Sequence, residues 1–215
     1  MGDFASRVGY YLSRPQDIIY AVASAALYPT LFAEVAALLY IAFQAGALTV
    51  EGWRRRKARK PIDLEVTAAA LAEATATGEE AKASALLSQF EYGPVIGPVA
   101  HILSTEGVDP VRTLKLLGDA ERTAVRRLDK TRIFIRIGPI LGLMGTLIPI
   151  SPALVALAQG DTQTLSANLV VAFSTTVVGL IIGGTGYICS IIRERMYAQD
   201  LADLEYVLER ARVRP

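Results

Sequence analysis

The chain has 215 residues, a mean hydropathy of +0.36 and 52% hydrophobic residues, which is too apolar for an ordinary soluble domain of this size. Its net charge of +1 predicts neither a nucleic-acid partner nor an acidic substrate. The single Cys189 and the single His101 exclude a disulfide framework and a structural zinc cluster built from this chain alone. We therefore expect no metal site, no cofactor and no soluble-enzyme chemistry, and no Walker-type phosphate loop is present.

The N-terminal segment, residues 1–17, mixes charged and apolar residues. Phe4, Val8, Tyr11 and Leu12 have helical spacing, which predicts a short amphipathic helix on the membrane surface. A frayed terminus is the alternative.

Three long apolar runs follow, and each is long enough to cross a bilayer core of about 30 Å, which needs about 20 helical residues. The first run contains one charged residue, Glu34, and the other two contain none. We predict transmembrane helices over 18–50, 132–158 and 167–192. The prolines within them are compatible with helices in lipid, because neighbouring helices can form hydrogen bonds with the backbone groups that proline leaves unpaired.

Basic residues predict the orientation. They cluster directly after the first run, before the second and after the third, whereas the connector 159–166 has no Lys or Arg. By the positive-inside rule, the N-terminus and the connector lie outside the cytoplasm, and residues 51–131 and 193–215 lie inside it. The predicted location is a cell's inner (cytoplasmic) membrane, crossed several times.

The region 51–131 is predicted to be a helical cytoplasmic domain. Asp63 precedes a segment rich in Ala, Leu and Glu that Gly78 ends, and a second helical segment covers about residues 79–90. The pairs Gly93-Pro94 and Gly97-Pro98 then break the pattern.

Asp109 is a plausible N-cap for a further helix with Pro110 at its first position. Nothing stops this helix before Gly138, so we expect it to continue into the second span as one rod. Apolar residues recur every three or four positions beyond the third span, so that helix should also extend into residues 193–215.

Glu34 lies within the first span, where a charged carboxylate is costly. It is either protonated, paired with a tyrosine such as Tyr28 or Tyr40, or closer to the interface than its position indicates. Two roles stay open: a structural role in subunit packing, which we favour, and an intramembrane ion-binding role.

Small residues recur at helical spacing in the second and third spans. Such residues allow helix backbones to approach closely in lipid, and Thr176 could simply bond to its own helix. The sharper interpretation is that these faces line a narrow interior, where hydroxyl groups solvate a moving ion transiently. The packing positions are Gly142, Gly145, Ala172, Gly179 and Gly183.

No Asp, Glu, His, Lys or Arg occurs in 137–160 or 162–192. A bundle that moves protons usually places an ionisable group at membrane depth. Unless Glu34 has this role, the carrier must come from another polypeptide, and the chain works only in a complex.

Two segments resemble the signatures of the MotA/TolQ/ExbB proton-channel family. Gly138-Pro-Ile-Leu-Gly-Leu-Met-Gly-Thr146 is similar to the second-span signature, in which a Gly-Leu-x-Gly-Thr core recurs. Ala172-Phe-Ser-Thr-Thr-Val-Val-Gly-Leu180 is similar to the third-span signature. The two motifs occur in the family's order and topology, and the resemblance covers about residues 110 to 208.

The resemblance implies an all-α integral membrane protein with three transmembrane helices and long cytoplasmic helical extensions, assembling as a homopentamer. The pentamer would surround a dimer of a single-span partner of the ExbD/TolR/MotB type, whose intramembrane Asp carries the ion. Thr146 and Thr176 match the family's pore-lining threonines, and Ser174 and Thr175 belong to the same predicted ion pathway. Val171 stands where ExbB-like members usually carry a Glu, which puts any proton route through such a Glu in doubt. Three spans around one large loop fit the ExbB/TolQ branch better than the four-span flagellar MotA.

The leading hypothesis is therefore a channel-forming subunit of an ion-driven membrane motor, with the proton as the expected ion. The alternative is a structural scaffold whose helices anchor a cytoplasmic interaction domain. A substrate transporter is disfavoured by three spans without an inverted repeat.

Overall fold

The computed structural model describes residues 15–58 and 63–213, and this part of the chain contains α-helices and no strand. Of the predicted N-terminal segment 1–17, only the start of the first helix falls within the described residues. The helices are α1 (Pro15–Ala25), α2 (Leu27–Ala58), α3 (Leu64–Thr77), α4 (Glu80–Ser88), α5 (Gly97–Glu106), α6 (Pro110–Ala158) and α7 (Thr162–Val213).

Three helical stretches are long and apolar enough to span a membrane. They cover Ile18–Lys57, Val111–Ala158 and Thr162–Ala211. The predicted all-helical fold with three such helices is therefore confirmed. The two continuous helices expected from the sequence are also present, because α6 and α7 run without interruption over 49 and 52 residues.

Proline explains the one interruption in the first stretch. The helix turns at Ala26, whose N–H reaches the carbonyls of both Val22 and Ala23 at 3.1 Å. Pro29 has no N–H to donate to the carbonyl of Ala25, four residues earlier, and its ring crowds that carbonyl. In α6, by contrast, three prolines are accommodated inside the helix, as predicted for a lipid-embedded segment: Pro139, Pro149 and Pro152.

The described residues fall into two compact units. The first, which we call the apolar unit, comprises residues 15–43 and Ile133–Tyr187. In it α2 packs on α7 through a small cluster of Ala37, Ile41 and Ile182. The ring of Tyr40 stacks on that of Phe134 with 5.0 Å between the centroids. Many of the other large apolar side chains of the unit are exposed, as expected of helices that face lipid or other subunits.

The second, which we call the charged unit, comprises the described residues of 44–132 together with 188–213. Its core joins α3, α4, α5 and the first part of α6 to the end of α7. One buried cluster contains a residue from each of these helices: Leu71, Leu87, Leu103, Ala124 and Leu204. Burial of such side chains is the main source of stability available to this unit.

Helix caps account for the boundaries in the charged unit. Asp63 accepts hydrogen bonds from the backbone N–H groups of Glu65 (3.1 Å) and Val66 (3.2 Å), and Gly78 ends α3 with a φ of +71° that favours glycine. Asp109 accepts from the N–H of Arg112 at 2.9 Å. Both predicted helix starts are confirmed.

One prediction about this unit is wrong. Gly97-Pro98 does not merely break the helical pattern but opens α5. Proline is compatible with the first turn of a helix, where its missing N–H has no partner to lose. A Cβ at position 97 would lie 3.3 Å from the carbonyl oxygen of Glu91, a tight contact that glycine avoids.

Candidate functional site

Helices α6 and α7 approach each other along a line of glycines. A Cβ added at Gly138 would lie 2.7 Å from both the carbonyl oxygen of Gly179 and the nitrogen of Gly183. A Cβ at Gly179 would lie 2.6 Å from the carbonyl oxygen of Gly138 and 2.8 Å from the Cα of Gly142. Only glycine fits at these positions, and the two backbones are in direct contact.

The contact continues toward the connector through small side chains. Gly145 faces Thr175, whose Cβ and Oγ1 would lie 2.6 Å from a Cβ at position 145. Ala172 is 1% exposed. The structure therefore brings Gly142, Gly145, Ala172, Gly179 and Gly183 to the packed faces of α6 and α7.

Two threonines meet beside this contact. The Oγ1 atoms of Thr146 and Thr176 are 2.5 Å apart, and Thr146 Oγ1 also lies 2.7 Å from the carbonyl oxygen of Gly142. Thr176 Oγ1 also lies 3.2 Å from the carbonyl oxygen of Ala172 in its own helix. When Thr146 donates to Gly142 and Thr176 donates to Thr146, lone pairs on Thr176 remain to accept another hydrogen bond. Both side chains are half-buried, so the pair is held by the helix contact yet reachable from one side.

The neighbouring hydroxyls of α7 have different environments. Thr175 is 6% exposed and bonds to the carbonyl of Ala172 at 2.9 Å. Ser174 is exposed and bonds to the carbonyl of Val170 at 2.7 Å. Successive residues of a helix differ by about 100° in direction. Of the four predicted pathway residues, the structure therefore brings only Thr146 and Thr176 together.

Glu34 is buried on the inner face of α2. It is 3% exposed, and its Oε1 atom has no hydrogen-bond partner among the described residues. The backbone of Gly179 lies within hydrogen-bonding reach of the carboxyl group. Glu34 thus points toward α7 at the level of the glycine contact.

Asp161 caps α7 from the connector. Its Oδ1 accepts hydrogen bonds from the backbone N–H groups of Thr164 (3.0 Å) and Gln163 (3.1 Å). Hydrogen bonds from Thr164, side chain first and then backbone, hold the pKa of Asp161 below its ordinary value. No group of three or more His, Cys, Asp or Glu residues that could hold a metal occurs within the described ranges.

The sequence analysis missed a buried charge cluster in the charged unit. The guanidinium of Arg55 contacts the carboxylate of Asp200 and lies 3.2 Å from Glu51, and Tyr197 donates to Glu51 at 3.4 Å. The side chains of Arg55 and Asp200 are 10% and 9% exposed. The spacing of Glu51 and Arg55 could have indicated their pairing, but nothing local links either residue to Asp200.

Residues 112–205 match the MotA/TolQ/ExbB proton channel family. The match covers 94 of the 215 residues, so this part of the chain is similar to the family. No curated protein and no solved structure matches the chain.

The match to a proton channel family, together with the three apolar helices, indicates a membrane protein. The matched segment includes all of the glycine contact and both threonines of the hydroxyl pair. The first apolar stretch and helices α3 to α5 lie outside it.

The position where ExbB-like proteins were expected to carry a Glu is occupied by Val171, which is 36% exposed. In the parts of the apolar unit that belong to the apolar runs, Glu34 is the only residue among Asp, Glu, Lys, Arg and His. The apolar runs of this chain therefore contribute one carboxyl group, that of Glu34.

Proposed function

We propose that the chain is the channel-forming subunit of an ion-driven, ExbB/TolQ-like membrane motor that converts a transmembrane ion gradient into mechanical work, with the proton as the ion. The observation that carries the proposal is the Thr146–Thr176 pair, a half-buried hydroxyl pair between the charge-free segments of α6 and α7. Hydroxyls can accept and donate hydrogen bonds without carrying a full charge, so they bind an ion weakly enough to release it.

The partner follows from what the two helices lack. Residues 137–160 and 162–192 contain no Asp or Glu, so the ion carrier on this face comes from another chain. We propose a homopentamer around a dimer of a single-span partner of the ExbD/TolR/MotB type, whose intramembrane Asp faces Thr146 and Thr176. Exposed large apolar side chains on α6 and α7, including Leu143, Leu147 and Val177, are available for contacts with lipid and other subunits.

In the proposed orientation, the chain lies in the inner membrane of a cell. The connector 159–166 is outside the cytoplasm, and the charged unit is in the cytoplasm. This orientation rests on the basic residues that flank each apolar run, such as Arg54 and Arg56 after the first. In this arrangement 1–17 is an outer segment, 18–50, 132–158 and 167–192 are the spans, and 51–131 and 193–215 are cytoplasmic.

Replacing Thr176 with Val tests the pathway, because it removes the hydroxyl and keeps the shape of the side chain. Loss of one hydrogen bond to a passing ion costs about 0.5–1.5 kcal/mol, which corresponds to a fall in flux of about 2- to 13-fold. Proton flux is measured in membrane vesicles that contain the chain and its native partner.

The matched control is Thr185→Val, the same substitution nine residues further along α7 and therefore on the opposite face of the helix. It should leave the flux unchanged. Equal flux in the Thr176 variant and in the wild type would remove Thr176 from the ion pathway.

A structural scaffold is the second candidate function. It is supported by two contacts within one chain: the glycines of α6 and α7 pack directly on each other, and Thr146 and Thr176 hydrogen-bond to each other. A scaffold predicts an oligomer whose centre is filled by its own side chains, whereas the motor predicts fivefold symmetry around a slot for two foreign helices. A low-resolution map of the complex purified from native membranes separates the two.

A further inference from the structure

Glu34 places a carboxyl group in apolar surroundings, and the Thr146–Thr176 pair does not need that carboxyl group for its own hydrogen bonds. It lies on the one buried stripe of α2, which also includes Thr30, Ala37 and Ile41, and it is 3% exposed. Thr30 has its own acceptor, the carbonyl of Ala26 at 2.7 Å. Packing alone would be served by an apolar residue here, as it is at positions 37 and 41.

Within the described residues, no charge interaction between Glu34 and a basic side chain is present. Arg136, two residues before Gly138, is exposed. The elements packed against Glu34, α6 and α7, have no Lys, Arg, His, Asp or Glu in 137–160 or 162–192. On its own stretch, the titratable side chains of 18–50 are Tyr20, Tyr28 and Tyr40. Tyr20 and Tyr28 are 52% and 69% exposed, and the ring of Tyr40 stacks on Phe134.

One carboxyl oxygen is also unpaired. Oε1 is fully enclosed and has no hydrogen-bond partner within the described part of the chain, while the backbone of Gly179 is next to the group. An enclosed, unpaired oxygen on a titratable group indicates a site that a proton occupies and from which it can be passed on. Gly179 is one helical turn from Thr176, so Glu34 lies close to the level of the hydroxyl pair.

We propose that Glu34 is a proton-binding residue of this chain, which holds a proton in the resting protein and exchanges it during ion flow. The proposal rests on the proposed function. Its step is a simple transfer: the O–H bond of the carboxylic acid breaks, the proton passes to a water molecule or to the partner's carboxylate, and the carboxylate that remains accepts a proton from the other side. No bond to carbon changes and no electron is transferred.

Infrared spectroscopy of the full chain in phosphatidylethanolamine–phosphatidylglycerol vesicles tests the resting state. The wild type should show the carbonyl band of a protonated carboxylic acid at neutral pH, and Glu34→Gln should lack it. A difference spectrum without that band overturns the proposal.

Proton flux in native membrane vesicles tests the exchange. Glu34→Gln keeps the size and the hydrogen-bonding capacity of the side chain but cannot release a proton, so flux should fall at least tenfold. Moving the carboxyl to the exposed neighbour in the double variant Glu34→Gln, Ala33→Glu should not restore it. Wild-type flux in Glu34→Gln assigns the residue to packing and overturns the proposal.

If the Gln variant does not accumulate in the membrane, the wild-type chain can be tested with dicyclohexylcarbodiimide. This reagent modifies protonated carboxyl groups in apolar surroundings. Modification of Glu34, located by peptide mass spectrometry, should parallel the loss of flux. Absence of modification, or modification with full flux, contradicts the proposal. If flux is normal in Glu34→Gln and reduced in Thr176→Val, the proposed function stands and this inference is refuted. If flux is reduced in Glu34→Gln and normal in Thr176→Val, only the pathway through Thr176 is refuted.

Discussion

The contact between α6 and α7 makes a quantitative prediction for Gly179→Ala. The added Cβ would lie 2.6 Å from the carbonyl oxygen of Gly138, and ordinary contact begins at 3.4 Å. Because the obstructing atom belongs to the backbone, the helices must separate by about the difference, 0.8 Å. A gap of about 0.5–1 Å removes roughly a quarter to a half of the dispersion energy of each affected contact.

Overpacking of this kind costs about 1–3 kcal/mol, and direct backbone obstruction puts Gly179→Ala toward the upper end. Gly184→Ala is the matched control, because it lies on the same helix and has no atom within 4 Å of an added Cβ. The gain in helix propensity from glycine to alanine, roughly 1 kcal/mol, applies to both variants and cancels in their difference. We therefore expect Gly179→Ala to be less stable than Gly184→Ala by about 2–3 kcal/mol.

The assay is reversible unfolding of the purified protein in mixed micelles, followed by circular dichroism. The same separation would stretch the 2.5 Å contact between Thr146 and Thr176, so proton flux should also fall in Gly179→Ala and not in Gly184→Ala. Stabilities of the two variants that agree within about 0.5 kcal/mol would refute the close approach of the helices.

Two further predictions concern charges outside the spans. Arg55→Met leaves the Asp200 carboxylate buried without its cation, so the free energy of unfolding of the charged unit should fall by about 3–5 kcal/mol. Arg54→Met, at an exposed position, should change it by less than about 0.5 kcal/mol. Similar values for both variants would contradict the buried pair. Because the pKa of Asp161 is lowered in the folded chain, its contribution to stability is present above the ordinary carboxyl pKa and is lost as the pH falls through the lowered value. An NMR titration of Asp161 should therefore have its midpoint below that of an unfolded peptide of the same sequence, and an unshifted midpoint would rule out the cap.

Helix content and span number could be predicted because apolar run length and capping residues are local features. Asp63, Gly78 and Asp109 each fix a helix end through neighbours no more than four residues away. The helix α5 was missed because Gly97-Pro98 is compatible both with a break and with a first helical turn. A local pattern cannot distinguish these two outcomes, since α5 is held by the burial of Val99, Ala100 and Leu103 in the shared core.

The candidate site could be predicted only in part, for the same reason. Thr146 and Thr176 stand out through their motifs, but their direct hydrogen bond depends on how α6 and α7 align. The direction of Thr175 toward Gly145 and of Ser174 away from it also follows from that alignment. The pairing of Arg55 with Asp200 spans 145 positions of the chain and has no sequence signal.

The shared core of the charged unit determines how the protein can be dissected. Tyr197, Leu204 and Val207 come from the end of α7, yet they complete the interior formed by α3, α4, α5 and the first part of α6. A fragment cut at residues 63–132 would expose the apolar surfaces that these side chains cover, and it would tend to aggregate when expressed alone. A fusion that joins 44–132 to 188–213 through a flexible linker would retain them and would also keep Arg55 beside Asp200, so it is a rational starting point for a water-soluble version.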